Sequence, residues 1–346
     1  MTNKMKEIKE PCYRVTIADT DLSFETNGND SILSSLLRAG FGMPYECNSG
    51  GCGSCKVTLI EGEISNDIET PSGLKASDIR KNKKLACLSH AKSDCTISVK
   101  LNSAYEPAIL PEKVTAKFVS REPLTPDLWE FRFKSDTPAQ FLPGQYAKLH
   151  IQGVSGSRSY SMANTANDAG LWAFQIKRVP DGVATTVLFD EDLEGKSIII
   201  DAPYSIGHLD TNSSRNIVCI AGGSGLAPML SVIRGIAEWK GVADEAMLYY
   251  GARSTVDVID PDFFSSINGF DSEKQYVPVI SKADPSSKWN GPTGFIHEYL
   301  ATALPNDCSN IDFYMAGPPP MVDAVRRLLV LDLQVPIDQL HYDRFF

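Results

Sequence analysis

The chain has 346 residues, 42 % of them hydrophobic and 22 % charged, with a net charge of −10. That length accommodates two or three domains, each with its own core, and the acidic balance disfavours a nucleic-acid partner. No apolar run approaches the roughly 18 residues of a membrane span, and the polar start at Met1–Glu10 lacks a signal-peptide core, so no membrane association and a cytoplasmic location are expected. Residues 1–102 carry 13 basic and 13 acidic side chains, so the whole deficit lies in the remainder. It reads mainly as a solubility feature.

Residues 13–102 read as strands around one helix. Tyr13–Ile17 and Asp21–Phe24 have the period-2 apolar pattern of a hairpin. Asp30 or Asn29 is expected to cap a helix whose apolar face is Ile32, Leu33, Leu36 and Leu37. Lys56–Ile60 and Thr96–Lys100 supply further strands, enough for a small β-grasp domain. Within it stand Cys47, Cys52, Cys55 and Cys87, spaced C-x4-C-x2-C and then a distant C. That is the ligand pattern of a plant-type [2Fe–2S] cluster. Gly50, Gly51 and Gly53 allow the tight turns that wrap three thiolates around one small core. Structural zinc is the weaker alternative, because zinc sites favour two paired knuckles and here the fourth cysteine stands alone. Disulfides would need an oxidising compartment, which nothing else in the chain indicates. Cys12, Cys95, Cys219 and Cys308 read as structural thiols.

Residues 103–112, with Pro107 and Pro111, read as a stiffened linker. From 113 to 210 short strands alternate with Pro/Gly turns: Val114–Val119, Leu128–Phe133, Gln145–Ile151, Leu171–Arg178 and Ser197–Asp201, with one helix near Ala184–Leu188. This predicts an antiparallel barrel. In it Arg158-Ser159-Tyr160-Ser161 combines a phosphate-binding fork, an aromatic cover and hydroxyl donors. Alone, these four residues fit an ordinary exposed strand better. Gly182-Val183-Ala184-Thr185 opens the helix and offers free N–H groups to a phosphate.

From 211 to 346 strands Asn216–Ala221, Ala246–Tyr250, Tyr276–Ile280 and Ile311–Ala316 alternate with helices near Leu226–Trp239, Phe295–Leu304 and Met321–Leu333. The pattern predicts a parallel α/β sheet with a nucleotide site at its carboxyl edge. Gly222-Gly223-Ser224-Gly225, followed by Pro228 in the first helical turn, is a strand–helix phosphate turn. Gly251 and Arg253 end the next strand, and Asp257 follows. A carboxylate there would accept hydrogen bonds from an adenosine ribose and repel a 2′-phosphate, favouring NADH; a solvated turn aspartate is the plain alternative. Ala316-Gly317-Pro318-Pro319-Pro320 makes a second close-approach turn, whose prolines would start the helix at Met321.

Together, the Pro44–Lys56 cysteine loop, Arg158–Ser161, Ala221–Pro228, Gly317–Pro319 and the terminal Asp343-Arg344-Phe345-Phe346 resemble the ferredoxin–NAD(P)H reductase superfamily with an N-terminal plant-type ferredoxin domain. The combination is most similar to reductase components of toluene-, xylene- and alkene-type multicomponent monooxygenases. The resemblance implies a [2Fe–2S] ferredoxin domain, a Greek-key FAD-binding barrel and a parallel α/β NAD-binding domain. It implies that Arg158 and Ser159 hold the FAD pyrophosphate side, Tyr160 packs on the flavin, and Ser161 approaches N5 as the catalytic group. Gly182, Val183 and Thr185 would cradle the pyrophosphate. Ile176, Lys177 and Val179 would line the adenine-side pocket, and Phe345 or Phe346 would cover the other flavin face. The implied activity passes electrons from NADH through FAD and the cluster to an oxygenase component, directly or through a Rieske ferredoxin. A diiron hydrocarbon monooxygenase is the expected acceptor system. The alternatives are a Rieske dioxygenase and, in another class, a non-catalytic redox sensor on the same fold. Two positions depart from the family pattern: Ala316 replaces the usual Cys beside the nicotinamide, and Ser205 replaces the usual Gly after Pro203-Tyr204.

Overall fold

Alternating side-chain polarity builds the first sheet. In a computed structural model, which describes residues 11–282 and 288–346, strands β1 (Cys12–Ile17) and β2 (Ser23–Asn27) pair antiparallel and bury Val15, Ile17 and Phe24 on one side. The polar start at 1–10 lies outside the described residues. Helix α1 (Ile32–Arg38) buries Ile32, Leu33, Leu36 and Leu37 completely. Its cap is neither Asp30 nor Asn29 but Ser31, whose hydroxyl accepts from Ser34 N–H. Asp30 instead pairs with Arg38 at 2.9 Å.

Strands β3 (Lys56–Glu61) and β4 (Ile64–Asn66), helix α2 (Ala76–Arg80), and strands β5 (Lys83–Leu85), β6 (Ser89–Ala91) and β7 (Cys95–Ser98) complete this unit. Its main sheet has the order β2-β1-β7-β3-β5, with β1 and β7 parallel. The short α2, β4, β5 and β6 carry too few residues to show periodicity in sequence. The chain divides into two compact units after Pro111.

The second unit begins with β8 (Glu112–Pro123), β9 (Leu128–Ser135), β10 (Tyr146–His150), β11 (Arg158–Ser161), β12 (Leu171–Lys177), α3 (Val183–Asp190) and β13 (Ser197–Tyr204). The strands form one antiparallel sheet, β11-β10-β13-β8-β9-β12. A bridge between Met162 and Phe174 joins its two edges and closes it into a barrel. Phe131, Phe133, Phe141 and Phe174 fill the interior, each contributing about 2–3 kcal/mol by leaving water.

Strand β14 (Asn216–Gly222), α4 (Leu226–Lys240), β15 (Ala246–Ala252), α5 (Ser272–Gln275), β16 (Tyr276–Ile280), α6 (Ile296–Ala303), β17 (Ile311–Gly317), α7 (Pro319–Arg327) and β18 (Leu340–Arg344) follow. All five strands are parallel, in the order β16-β15-β14-β17-β18. The chain order reverses between β14 and β17, which opens a crevice at their carboxyl ends. Helix α7 starts at Pro319, two residues before the expected Met321, because prolines fit the first helical turn without a donor. It then loosens into a π-turn at Leu328–Asp332. Residues Leu340–Arg344, which no sequence pattern marked as a strand, form the fifth strand β18 against β17, and Phe345 and Phe346 follow it.

Candidate functional site

Three glycine-dependent structures carry the candidate sites. In the first, Cys47, Cys52 and Cys55 sit on the loop leading into β3, and Cys87 follows β5. The loop turns through left-handed residues at Asn48 (φ 51°), Gly50 (φ 87°) and Gly53 (φ 73°). A Cβ on Gly53 would stand 2.4 Å from the Gly73 carbonyl oxygen. These turns aim backbone N–H groups at sulfur: Ser49 and Cys52 donate to Cys47 Sγ at 3.5 and 3.4 Å, and Ser54 to Cys52 Sγ at 3.4 Å. Such bonds stabilise thiolates and raise a cluster's potential.

The four sulfurs fall into two pairs. A hydrogen bond from Cys52 lowers the Cys47 thiol to about 4, against the opposing effect of burial, and raises that of Cys52. Cys87 hydrogen-bonds Cys55 in the same way, lowering Cys55 and raising Cys87. Among the described residues no three His, Cys, Asp or Glu side chains converge on one ion. The backbone N–H groups of Ser49, Cys52 and Ser54, aimed at Cys47 and Cys52 sulfur, fit the thiolates of a [2Fe–2S] core. The Asn48 side-chain amide is buried with neither its nitrogen nor its oxygen hydrogen-bonded; a buried unpaired donor costs about 1–3 kcal/mol, and a cluster sulfide would give the nitrogen an acceptor. Among the described residues no disulfide joins any of the eight cysteines.

The second structure is the barrel. Arg158, Ser159, Tyr160 and Ser161 form β11 at its edge, paired with β10. Arg158 is exposed and Ser161 buried. Burial raises the Tyr160 phenol to about 12, so the ring presents a neutral apolar face. At the start of α3, Gly182 is the cap residue, and a Cβ there would meet Thr185 Oγ1 at 2.7 Å. Thr185 donates to Gly182 O at 3.0 Å and accepts from Val179 N–H, which holds the turn open for an anion at the helix start. Val179 and Val183 are exposed beside it. These residues fit a flavin dinucleotide's phosphates and ring. Ile176 does not: it is fully buried in the barrel core. Lys177 also lies elsewhere, in the coenzyme cavity described next.

The third structure is a cavity of about 530 Å³ at the carboxyl edge of the parallel sheet. Gly222, Gly223 and Ser224 wall it on one side, and Gly251, Arg253 and Asp257 on another. Gly223 takes φ 58°, and a Cβ on Gly222 would stand 2.5 Å from Met321 Sδ. Only glycine therefore keeps this wall open to a ligand's backbone-like approach. Pro318 and Phe345 also reach the cavity, whereas Gly225, Pro228, Ala316, Gly317 and Pro319 do not line it. Ala316 is fully buried, with its carbonyl oxygen 2.0 Å from where a Gly225 Cβ would sit. These residues shape the turn from beneath.

Asp257 is not a free carboxylate. Its Oδ2 accepts from Ser254 N–H at 2.9 Å and from Ser254 Oγ at 2.8 Å. Its Oδ1 stands 3.9 Å from Lys177 Nζ. Phe345 packs on the sheet core, and its N–H donates to Gly317 O at 3.0 Å; Phe346 is exposed under the Arg344 guanidinium. The cavity also contains a pair that sequence reading missed. Phe295 and His297 stack at 5.8 Å at the start of α6, and Phe295 is 60 % exposed. Its only signal was a large aromatic residue at a helix start, which reads as core.

Family models match three segments: a 2Fe-2S iron-sulfur cluster binding domain at 15–92, an oxidoreductase FAD-binding domain at 115–209 and an oxidoreductase NAD-binding domain at 219–327. The chain is 39 % identical to the ferredoxin–NAD(P)(+) reductase CarAd of Metapseudomonas resinovorans, over 91 % of this chain and 94 % of that protein. It is 34 % identical to the ferredoxin–NAD(+) reductase component of an alkene monooxygenase system of Xanthobacter autotrophicus, over 93 % of this chain and 98 % of that one. Among solved structures, the ferredoxin reductase in carbazole 1,9a-dioxygenase superposes with a TM-score of 0.89 at 35 % identity, covering 97 % of this chain and 99 % of that one. The chain therefore belongs to the family of ferredoxin–NAD(P) reductase components, oxidoreductases that join a [2Fe–2S] domain to FAD- and NAD-binding domains.

Proposed function

We propose that this chain is the NADH-dependent electron-transfer component of a multicomponent oxygenase system. FAD, when bound, would supply the two-electron acceptance of a hydride from NADH, and a [2Fe–2S] cluster would supply one-electron relay to the acceptor. The protein holds and orients them. Residues 13–102, 113–210 and 211–346 serve as carrier, flavin and coenzyme domains, joined by 103–112. Cys47, Cys52, Cys55 and Cys87 would hold the cluster. Arg158, Ser159 and the α3 start with Gly182, Val183 and Thr185 hold the flavin phosphates, Tyr160 covers the ring, and Ser161 bonds its reactive edge. Gly222–Gly225 and Gly251 admit the coenzyme, and Phe345 separates its cavity from the flavin side.

The observation that carries this reading is the conjunction in one chain of a cysteine loop whose N–H groups point at sulfur with an open, glycine-walled cavity at the sheet's switch point. A non-catalytic sensor would not need the second. Anaerobic titration with NADH, followed by visible absorption and EPR, tests it: flavin and cluster should both bleach, with about one FAD and two irons per chain. Flavin that NADH leaves oxidised would overturn the reading.

The acceptor is a monooxygenase component, as the names of the alkene, xylene and phenol relatives suggest. A specific observation also favours a dioxygenase: the structure at TM-score 0.89 and 35 % identity is the ferredoxin reductase in carbazole 1,9a-dioxygenase. NADH-driven reduction of a purified diiron hydroxylase against a Rieske ferredoxin separates the two. We place the protein in the cytoplasm, where NADH and reduced thiols coexist; no helix among the described residues is long and apolar enough to cross a membrane.

A further inference from the structure

Lys177 is the only ammonium in the wall of the coenzyme cavity among the described residues. It ends β12, opposite Leu128 of β9. Its stem passes over the glycine turn, with Cδ 3.8 Å from where a Gly223 Cβ would be. Nζ lies 2.9 Å from Asp127 Oδ2 and 3.9 Å from Asp257 Oδ1. One barrel carboxylate and one carboxylate of the coenzyme domain thus face a single cation across the mouth of the cavity.

Asp127 is built for this place. It closes the turn between β8 and β9, where Thr125 Oγ1 accepts from Leu128 N–H at 3.1 Å and donates to Asp127 Oδ1 at 3.2 Å. The Asp127 carbonyl accepts from Arg178 N–H at 2.6 Å. The backbone of 177–178 and the side chain of Thr125 therefore preset the carboxylate, leaving Oδ2 for the lysine. Asp257 is preset too, by Ser254. Neither carboxylate has to be ordered when a ligand arrives.

A lone ammonium in a dinucleotide pocket attracts any phosphate, and attracts three phosphates more than two. Two fixed carboxylates offset the lysine's share of that pull, the Arg253 guanidinium being the other strong cation in the wall, and leave the lysine as a hydrogen-bond donor of fixed position. We propose that Asp127 is a positioning and coenzyme-selecting residue: through Lys177, and together with Asp257, it tunes the cavity toward the dinucleotide that lacks a 2′-phosphate. This rests on the reading of the cavity as the nicotinamide coenzyme site.

The test is a double-mutant cycle on the flavin- and cluster-loaded protein, with KM and kcat measured for NADH and NADPH. Asp127→Asn keeps an acceptor for Nζ and removes only the charge. It should lower KM for NADPH about threefold or more, with a smaller change for NADH, and kcat should hold. The shift should shrink in high salt and vanish when Lys177→Met is already present. The Kd of NADP+, read by quenching of protein fluorescence, should follow the same pattern without turnover. An unchanged coenzyme preference, or an equal shift with and without Lys177, overturns the proposal. Failure of the unsubstituted protein to reduce flavin with either coenzyme overturns instead the function on which it rests.

Discussion

Ser205 donates its hydroxyl hydrogen to the Asp343 carboxylate, 3.1 Å from Oδ1 and 3.2 Å from Oδ2, tying the end of β13 to β18 across 138 residues of sequence. The same hydroxyl accepts from Gly207 N–H at 3.0 Å. Ser205 sits at φ 92°, a conformation glycine adopts without penalty and serine adopts at about 1–2 kcal/mol. The position that the family pattern gives to glycine thus keeps its glycine-like backbone here, with a side chain whose two bonds offset the strain.

The strain and the hydrogen bonds can be separated by two substitutions. Ser205→Gly removes both; Ser205→Ala removes only the bonds. A lost bond to a carboxylate costs about 1.5–3 kcal/mol. Ser205→Ala should therefore lower the urea midpoint more than Ser205→Gly, by an equivalent of about 1 kcal/mol. The reverse order would show that the backbone at 205 is not strained, and a Ser205→Ala protein as stable as the unsubstituted one would show that the hydroxyl does not anchor the last strand.

Cys87→Ser should abolish the cluster while sparing the flavin. Cys87 shares its site with Cys55, and both lie in the first unit, away from the barrel in sequence. Iron content and the EPR signal of the reduced protein should fall to background, and NADH should still bleach the flavin. Loss of flavin bleaching as well would contradict the separation of the two units.

Two glycines of the coenzyme cavity region should respond oppositely to alanine. At Gly225 a Cβ would lie 2.0 Å from Ala316 O and 2.5 Å from its carbonyl carbon, both backbone atoms between paired strand ends. Gly225→Ala should cost about 3 kcal/mol or more of stability. At Gly251 the nearest atom is 3.6 Å away, so Gly251→Ala should stay within about 0.5 kcal/mol in stability and change only NADH affinity. Thermal unfolding and NADH titration of both variants check this; a stable Gly225→Ala protein would refute the close approach.

Asp78 gives the ferredoxin unit an acid-sensitive step. The Lys56 ammonium, the Lys75 N–H and the Lys83 ammonium hold its carboxyl at about 2, below the ordinary 3.8. The folded form thus keeps the charge to lower pH than the unfolded chain. The stabilisation is complete above the ordinary value, declines as pH falls below about 4, and is gone once pH drops through about 2. Asp78→Asn should lower stability at neutral pH and flatten the stability curve between those limits. Denaturation midpoints taken from pH 7 downward decide it, and parallel curves for the two proteins would remove Asp78 from the account.

Local chemistry was legible in the residues alone. The cysteine spacing, the glycine turns after β14 and β17, and the period-2 and period-3.6 patterns of the longer elements depend on neighbours within one turn or strand. The five parallel and six barrel strands largely follow from them, because most are long enough to show their burial pattern. The short β4, β5, β6 and α2 are not, and Leu340–Arg344 is not marked as a strand because its pairing partner, β17, lies more than twenty residues upstream.

What the sequence determined by itself is therefore the inventory: four cysteines at cluster spacing, two glycine turns after strands and the order of the domains' elements. Only the tertiary structure decided the partners. It sorted the sulfurs into Cys47 with Cys52 and Cys55 with Cys87, withdrew Ile176 into the barrel core, moved Lys177 to the coenzyme cavity between Asp127 and Asp257, and engaged Asp257 with Ser254. The physical reason is range. A turn or a helix is stabilised by atoms a few residues apart, whereas a charge or a thiol takes its character from whatever the fold brings within about 4 Å of it.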